Sequence, residues 1–284
     1  MPDTRPATSF SSPSIRLRAR ALAAAGLCLW LTACGSIAER FDAAAREHGL
    51  ERREITGVAF RHAVFAPSQP TPGPVLHVYI EGDGTPLLGG RTPTVDPTPR
   101  RPLMPALMAR DPAPRLLLGR PCYHGLAATP PCQPLYWTEG RFAEAVVDSM
   151  AAAIGRLAGE GGHDGVVLIG HSGGGVLALL LAERLEEARA VVAVATIADI
   201  DLWTRHHGLA PLSASLNPNA RLAQAPVPEL FLAGSRDRVT PAELVRQAAG
   251  RRPRAELRSY VGFDHACCWT SVWPEVLTWI AAPR

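Results

Sequence analysis

HDGVVLIGHSGGGVLALLLAERL, residues 163–185, sets a run of β-branched and aliphatic residues against one serine hemmed in by glycines, then continues as a long apolar stretch. GVVLIG (165–170) reads as a buried strand and GGVLALLLAERLEEA (174–188) as a helix. A strand that passes into a helix within so few residues must turn sharply. Such a turn forces unusual backbone angles on the residue at its apex and crowds that residue's neighbours, which is why glycines flank it. The Ser172 hydroxyl is therefore presented at the turn rather than buried. Behind it lie helix-initial N–H groups, whose dipole favours negative charge.

The elements around this segment alternate. EITGVAFRHAVFAP (54–67) predicts a hairpin or two short strands, VLHVYI (75–80) a buried strand, residues 103–110 a short helix and RLLLG (115–119) a strand. In 141–160, Phe142, Val146, Met150, Ala153, Ile154 and Leu157 recur at helical spacing. AVVAVATI (190–197) and ELFLAG (229–234) read as strands, PAELVRQAAG (241–250) as a helix, AELRSYV (255–261) as a strand and SVWPEVLTWIAA (271–282) as the last helix. Strands alternating with helices predict an α/β fold, a mostly parallel central sheet with helices on both faces. Ligands of such sheets sit beyond the carboxyl ends of the strands, so the loops after Ile80, Gly170, Gly234 and Val261 should gather at one edge.

A serine hydroxyl is a weak nucleophile until a base takes its proton. His265, in VGFDHACCW after the last strand, is placed to supply that base. The imidazole in turn needs a carboxylate to hold its tautomer. Asp237, in LAGSRDRVTP, is the preferred acid, with Asp199 and Asp201 as alternatives; Asp264 adjoins the histidine too closely in sequence for a good approach.

LIGHSGGG, GSRDRVTP and GFDH, in the chain order Ser172, Asp237, His265, resemble the α/β-hydrolase superfamily over about residues 72–284, and within it exported bacterial lipoprotein hydrolases. The resemblance implies a serine hydrolase, most readily of carboxylic esters, that works through an acyl-enzyme and needs no cofactor or metal. It also implies an oxyanion hole built from two backbone amides, Gly173 and Asp83. Glu81-Gly82-Asp83 departs from the His-Gly-x common at that place. A carboxylate there opposes an oxyanion unless it is turned away or neutralised, and Gly84 is the fallback donor. The acyl substrate and the oligomeric state are not legible. Thioesters, amides and acyl transfer stay open beside esters.

Two rival classes remain. Gly173 to Ala178 also fits G-x-G-x-x-A, a dinucleotide fingerprint with Asp199 as ribose partner, but His171 and Ser172 intervene between strand and glycine, and Asp237 and His265 are left unexplained. A lipid-anchored binding protein that kept the fold without the chemistry is the other.

Composition bounds the rest. At 47% hydrophobic and 19% charged residues, the 284-residue chain can bury a substantial core. It contains no lysine, which excludes Schiff-base lysines, Ser-x-x-Lys hydrolases and the Walker-type loop. Arg16, Arg18 and Arg20 precede an apolar run, residues 21–31, too short to span a bilayer, and Leu31-Thr32-Ala33-Cys34 resembles a lipobox. The expected organisation is a lipoprotein signal peptide at 1–33, a tether (35–50 as a short amphipathic helix) and first strands at 34–71, and a catalytic domain at 72–284. Residues 198–225 would form a small cap if Trp203, Leu209, Leu212 and Leu216 cover the pocket, or an ordinary packed loop if they do not. The mature protein would be exported and held to a bacterial membrane through a lipidated Cys34. Removing residues 1–33 takes away four arginines and one aspartate, leaving 25 Arg against 25 Asp plus Glu, so no basic surface argues for nucleic acid. Cys122, Cys132, Cys267 and Cys268 permit three disulfide connectivities in an exported chain. Cys122–Cys132 and Cys267–Cys268 are favoured, against buried free thiols. The spacing does not suit zinc.

Overall fold

The structure, a computed structural model, describes residues 35–222 and 227–282; the signal-peptide reading of 1–33 and the lipidation of Cys34 fall outside them. Helix α1 (Ile37–Glu47) leads into a hairpin of β1 (Leu50–Thr56) and β2 (Arg61–Pro67). Strand β3 (Val75–Ile80) is followed by the Pro-rich loop, in which Leu87–Leu88 (β4) and Thr92–Pro93 (β5) form a small separate ladder. Then come α2 (Met104–Met108), β6 (Arg115–Leu118), α3 (Glu144–Gly161), β7 (Gly165–His171), α4 (Gly173–Ala182) and β8 (Ala188–Val194). Helix α5 (Ile200–His206), β9 (Glu229–Gly234), α6 (Ala242–Ala249), β10 (Ala255–Tyr260) and α7 (Trp273–Ala281) complete the order.

Eight strands form one sheet in the order β1-β2-β6-β3-β7-β8-β9-β10. The pairings among β6, β3, β7, β8, β9 and β10 are parallel, and the β1–β2 and β2–β6 pairings are antiparallel. Every residue of β7 is buried, as its unbroken apolar run requires. Its side chains alternate between two cores. Val166 and Leu168 pack under α3, α4 and α6, whereas Val167 and Ile169 pack with Phe41 of α1, Leu107 of α2 and Trp273 of α7. Truncating Leu168 to alanine should cost about 2–5 kcal/mol by leaving a cavity.

The chain runs from β3 out to β6 on one side and returns to β7 on the other, so the sheet reverses direction of growth at β3. Ile80 pairs with Gly170, His171 with Val194, and Tyr260 with Gly234, which brings the carboxyl ends of β3, β7, β8, β9 and β10 to one edge. The crevice at such a switch point is where open α/β sheets bind ligands.

Three boundaries differ from the sequence reading. Helix α4 stops at Ala182 rather than 188, although AERLEEA favours helix: Leu185 turns into the core and Ala188 must already pair with Val166. Strand β8 ends at Val194 rather than 197, because Ala195 adopts φ 48° and Thr196 turns to face Ser172. Within 198–225, read as a small cap or an ordinary packed loop, a helix forms: Asp199 accepts the Leu202 amide at 3.0 Å and caps α5. Leu212 joins the main core while Leu209 is exposed. Cys122 and Cys132, with Cα atoms 5.5 Å apart, bring their sulfurs together, as do Cys267 and Cys268.

Candidate active site

Ser172 stands between β7 and α4 with φ 55° and ψ −122°, a conformation that costs a non-glycine residue roughly 1–3 kcal/mol. Its neighbours impose it. The Ser172 amide donates to the Val194 carbonyl at 2.9 Å, and its own carbonyl accepts from the Gly175 amide at 3.0 Å and the Thr196 hydroxyl at 3.1 Å. Gly170 lies against the Gly174 backbone so closely that a Cβ on either would overlap main chain. The glycines of the motif are spacing devices for this turn. The first α4 amides, on Gly173 and Gly174, precede the helix's internal bonds and are free to face an anion.

His265 and Asp237 come from the loops after β10 and β9. The His265 Nδ1–H donates to Asp237 Oδ2 at 2.9 Å. Asp237 is fully engaged: its Oδ1 accepts the Val239 and Thr240 amides, both at 2.8 Å, and its Oδ2 also accepts the Thr240 hydroxyl at 2.6 Å. Burial raises the Asp237 pKa, but the His265 and Thr240 contacts outweigh it and the carboxyl sits below its ordinary value. An ionised carboxylate only accepts, so the imidazole carries its proton on Nδ1 and leaves Nε2 free as a base. The other acids are occupied. Asp264 accepts the Ala266 and Cys267 amides at 2.9 and 2.8 Å, Asp199 caps α5, and Asp201 holds Asn217 at 2.8 Å.

The Ser172 hydroxyl makes no hydrogen bond to His265 in this structure. Such contacts are often long before substrate binds and tighten around it. The two residues are linked through His171, whose ring centroid is 4.7 Å from that of His265 and whose Nε2–H donates to the His265 carbonyl at 2.8 Å. Burial, then the nearby His265, pushes His171 down to about 4, which keeps that ring neutral. The sequence reading missed this residue; its place directly before the serine was the available signal.

Asp83 also reaches the serine turn. Its carboxylate fills the space where a Gly173 Cβ would project, and Gly82 lies close enough that its own Cβ would sit 3.2 Å from Ser172 Cβ. The carboxylate is neutralised as the sequence reading required. Arg120 bonds one oxygen and Arg141 the other, the latter at 2.7 Å. Burial raises the Asp83 pKa, but Arg141 and Arg120 overcome that and hold it at about 2. Neither arginine was singled out from the sequence, where nothing distinguishes them from the chain's other arginines.

Beside Ser172 a cavity of about 30 Å3 is walled by Phe142, Val176, Ile197, Ile200 and Trp203. The Trp203 indole N–H donates to the Val239 carbonyl at 2.9 Å, which fixes the ring against the Asp237 loop. Thus α5, from the segment considered as a cap, supplies part of the pocket wall.

Two other histidine pairs lie elsewhere. The Ser149 hydroxyl donates to His62 Nε2 at 2.9 Å and accepts the Phe60 amide at 3.2 Å, while His62 Nδ1–H donates to the Gly119 carbonyl at 3.0 Å. Both residues are 0% exposed, so this serine is a tie between β2 and α3 that no substrate can reach. His77 and Tyr79 both bond Asp111 Oδ2, at 2.6 and 2.7 Å, without a nucleophile beside them. Nor do Gly173–Gly175 present a dinucleotide cradle. Their Cα faces are filled by the Asp83 carboxylate, the Ile80 and Glu81 carbonyls and the Thr196 side chain, and the carboxylate and carbonyl oxygens repel a diphosphate.

No protein-family model matches the chain, and no curated protein matches it. Solved structures do share its architecture. A Pyrococcus furiosus esterase superposes with a TM-score of 0.58 at 13% identity, over 83% of this chain and 92% of its own. A membrane phospholipase A described as a bacterial virulence factor gives 0.60 at 13%, over 94% and 96%. A puromycin hydrolase gives 0.56 at 17%, over 81% of this chain and 38% of that one. The chain has the α/β-hydrolase fold.

Proposed function

We propose that this chain is an exported, lipid-anchored serine hydrolase of carboxylic esters, with Ser172 as nucleophile, His265 as general base and acid, and Asp237 as the orienting carboxylate. The observation that carries the reading is the 2.9 Å His265–Asp237 pair at the same sheet edge as the strained Ser172. A fold neighbour named an esterase and another named a phospholipase A favour acyl-ester chemistry.

His265 Nε2 takes the Ser172 proton as Oγ attacks the ester carbonyl. The oxyanion formed is held by the Gly173 and Asp83 amides. On collapse the bond from carbonyl carbon to alcohol oxygen breaks, and His265 returns its proton to the departing alcohol. Water, deprotonated by the same imidazole, then splits the acyl-enzyme and releases the acid. No cofactor enters these steps.

Export rests on the basic and apolar leader ending at Cys34, the residue to be lipidated. In an oxidising compartment Cys122–Cys132 and Cys267–Cys268 are disulfides, the first closing the loop that carries Tyr123 and the second following His265. Hydrolysis of p-nitrophenyl acetate by the purified chain tests the assignment. Activity that disappears in Ser172→Ala supports it, and activity equal in the two proteins refutes it.

A further inference from the structure

We propose that Arg120 and Arg141 are positioning residues of the oxyanion site, which fix the Asp83 main chain and cancel the charge that its side chain carries to the serine turn. The inference rests on the reading of Ser172 as nucleophile. It arises from an oddity of this chain, namely a carboxylate packed against Gly173, whose amide must stabilise negative charge.

The two ends of the connection between β6 and α3 meet on that carboxylate. Arg120, just after β6, is 2% exposed and bonds Asp83 Oδ1, the Arg141 carbonyl at 3.2 Å, and lies over the rings of Tyr123 (5.0 Å) and Phe142 (5.4 Å). Arg141, just before α3, bonds Asp83 Oδ2 at 2.7 Å while its Nε–H donates to the Thr138 carbonyl at 2.6 Å. The Tyr123 hydroxyl donates to the Asp83 carbonyl at 3.0 Å. Residue 83 is thus gripped by its side chain and its carbonyl, which holds in place the residue whose N–H is the second oxyanion donor. The cluster also sums to one net positive charge where a lone aspartate would put a negative one. That sign is the functional point: two buried cations and one anion beside a developing oxyanion assist it.

Packing alone would not depend on that sign, which separates the two roles by experiment. The variants are Arg141→Lys, Arg141→Gln and Arg141→Gln combined with Asp83→Asn, assayed on p-nitrophenyl acetate with thermal unfolding followed in parallel. Arg141→Gln should lose about 100-fold in kcat with KM changed less than about threefold, the scale and pattern of a weakened oxyanion site. Adding Asp83→Asn restores the single net positive charge that Arg141→Gln takes away and should recover about tenfold or more of that loss. Arg141→Lys keeps the charge and should stay within about tenfold of the unmodified chain. Equal impairment by lysine and glutamine, or no recovery in the double variant, overturns the proposal. Should Arg141→Gln not fold, the lysine variant decides: a folded Arg141→Lys reduced by about 100-fold or more sinks it. Retained hydrolysis in Ser172→Ala would instead mean that the underlying reading had failed.

Discussion

The Nε2–H of His171 donates to the main-chain carbonyl of His265 at 2.8 Å, so the residue just before Ser172 grips the loop that carries His265. Ser172 follows β7 and His265 lies in the loop after β10, and this bond ties the two segments together. Because Nε2 meets a carbonyl it must carry the ring proton, which agrees with a neutral ring whose pKa is pushed down to about 4 by burial first. His171→Ala should lower kcat/KM by roughly tenfold, the scale of one hydrogen bond, while leaving the chain folded. Steady-state kinetics and thermal unfolding on the same preparation check both halves.

The acid is tested by contrast between two aspartates. Asp237→Asn keeps the shape but removes the charge that holds the imidazole tautomer, and should reduce kcat by about 10,000-fold with little change in KM. Asp264→Asn, whose side chain serves its own turn through the Ala266 and Cys267 amides, should stay within about tenfold. Comparable losses in the two variants would contradict the assignment of Asp237.

The pocket beside Ser172 is narrow and walled by Phe142, Val176, Ile197 and Ile200, and the anchored Trp203 ring closes part of it. Acetyl and propionyl esters should be preferred over octanoyl esters. Trp203→Ala should move the optimum toward longer chains, by about 10–200-fold in relative kcat/KM for each methylene newly admitted. A panel of p-nitrophenyl esters reads this directly, and an unchanged chain-length profile in the variant would remove Trp203 from the pocket wall.

Stability should fall in mild acid. Burial pushes His62 and His171 down to about 4 and His124, also near Arg52, down to about 3. Each folded pKa lies below the unfolded value of 6.5, so this stability is present above pH 6.5 and lost as pH falls toward 4, at up to about 1.4 kcal/mol per pH unit for each ring. Glu81 acts the other way. Burial raises its carboxyl to about 7, against the opposing Met104, Leu103 and Gly82 amides, so its contribution is lost as pH rises from 4.5 to 7. Three histidines outweigh one glutamate, and the urea midpoint should drop between pH 7.5 and pH 4.5. Glu81→Gln should enlarge that drop, chiefly by stabilising the protein at pH 7.5. A midpoint that rises on acidification would refute this balance.

How much of this was legible depended on the kind of signal. GVVLIGHSGGG could be read because a buried strand, a tight turn and a helix start each leave their own mark within a few residues, and VLHVYI and ELFLAG because buried parallel strands are apolar throughout. The edge hairpin is harder to bound: β1 begins at Leu50, just before ERREIT (51–56), where charged residues face solvent and mask the alternation. Local propensity favours helix through Glu187, whereas pairing of Ala188 with Val166 ends α4 at Ala182. Asp237 and His265 could be placed from loop position alone, since each follows a strand whose register carries it to the same edge. Arg120 and Arg141 could not. They are remote in sequence from Asp83, and only the folded loops bring them together.

The central claim, that Ser172 is the activated nucleophile, is tested most directly by a fluorophosphonate probe followed by intact-mass and peptide analysis. The native chain should gain one adduct, on the peptide containing Ser172; Ser172→Ala and the denatured chain should gain none. Ser149→Ala, which removes the hydroxyl of the buried His62 pair, should still label fully while losing about 1–2 kcal/mol of stability. Absence of any adduct on the native folded chain, or an adduct that survives Ser172→Ala, would contradict the account.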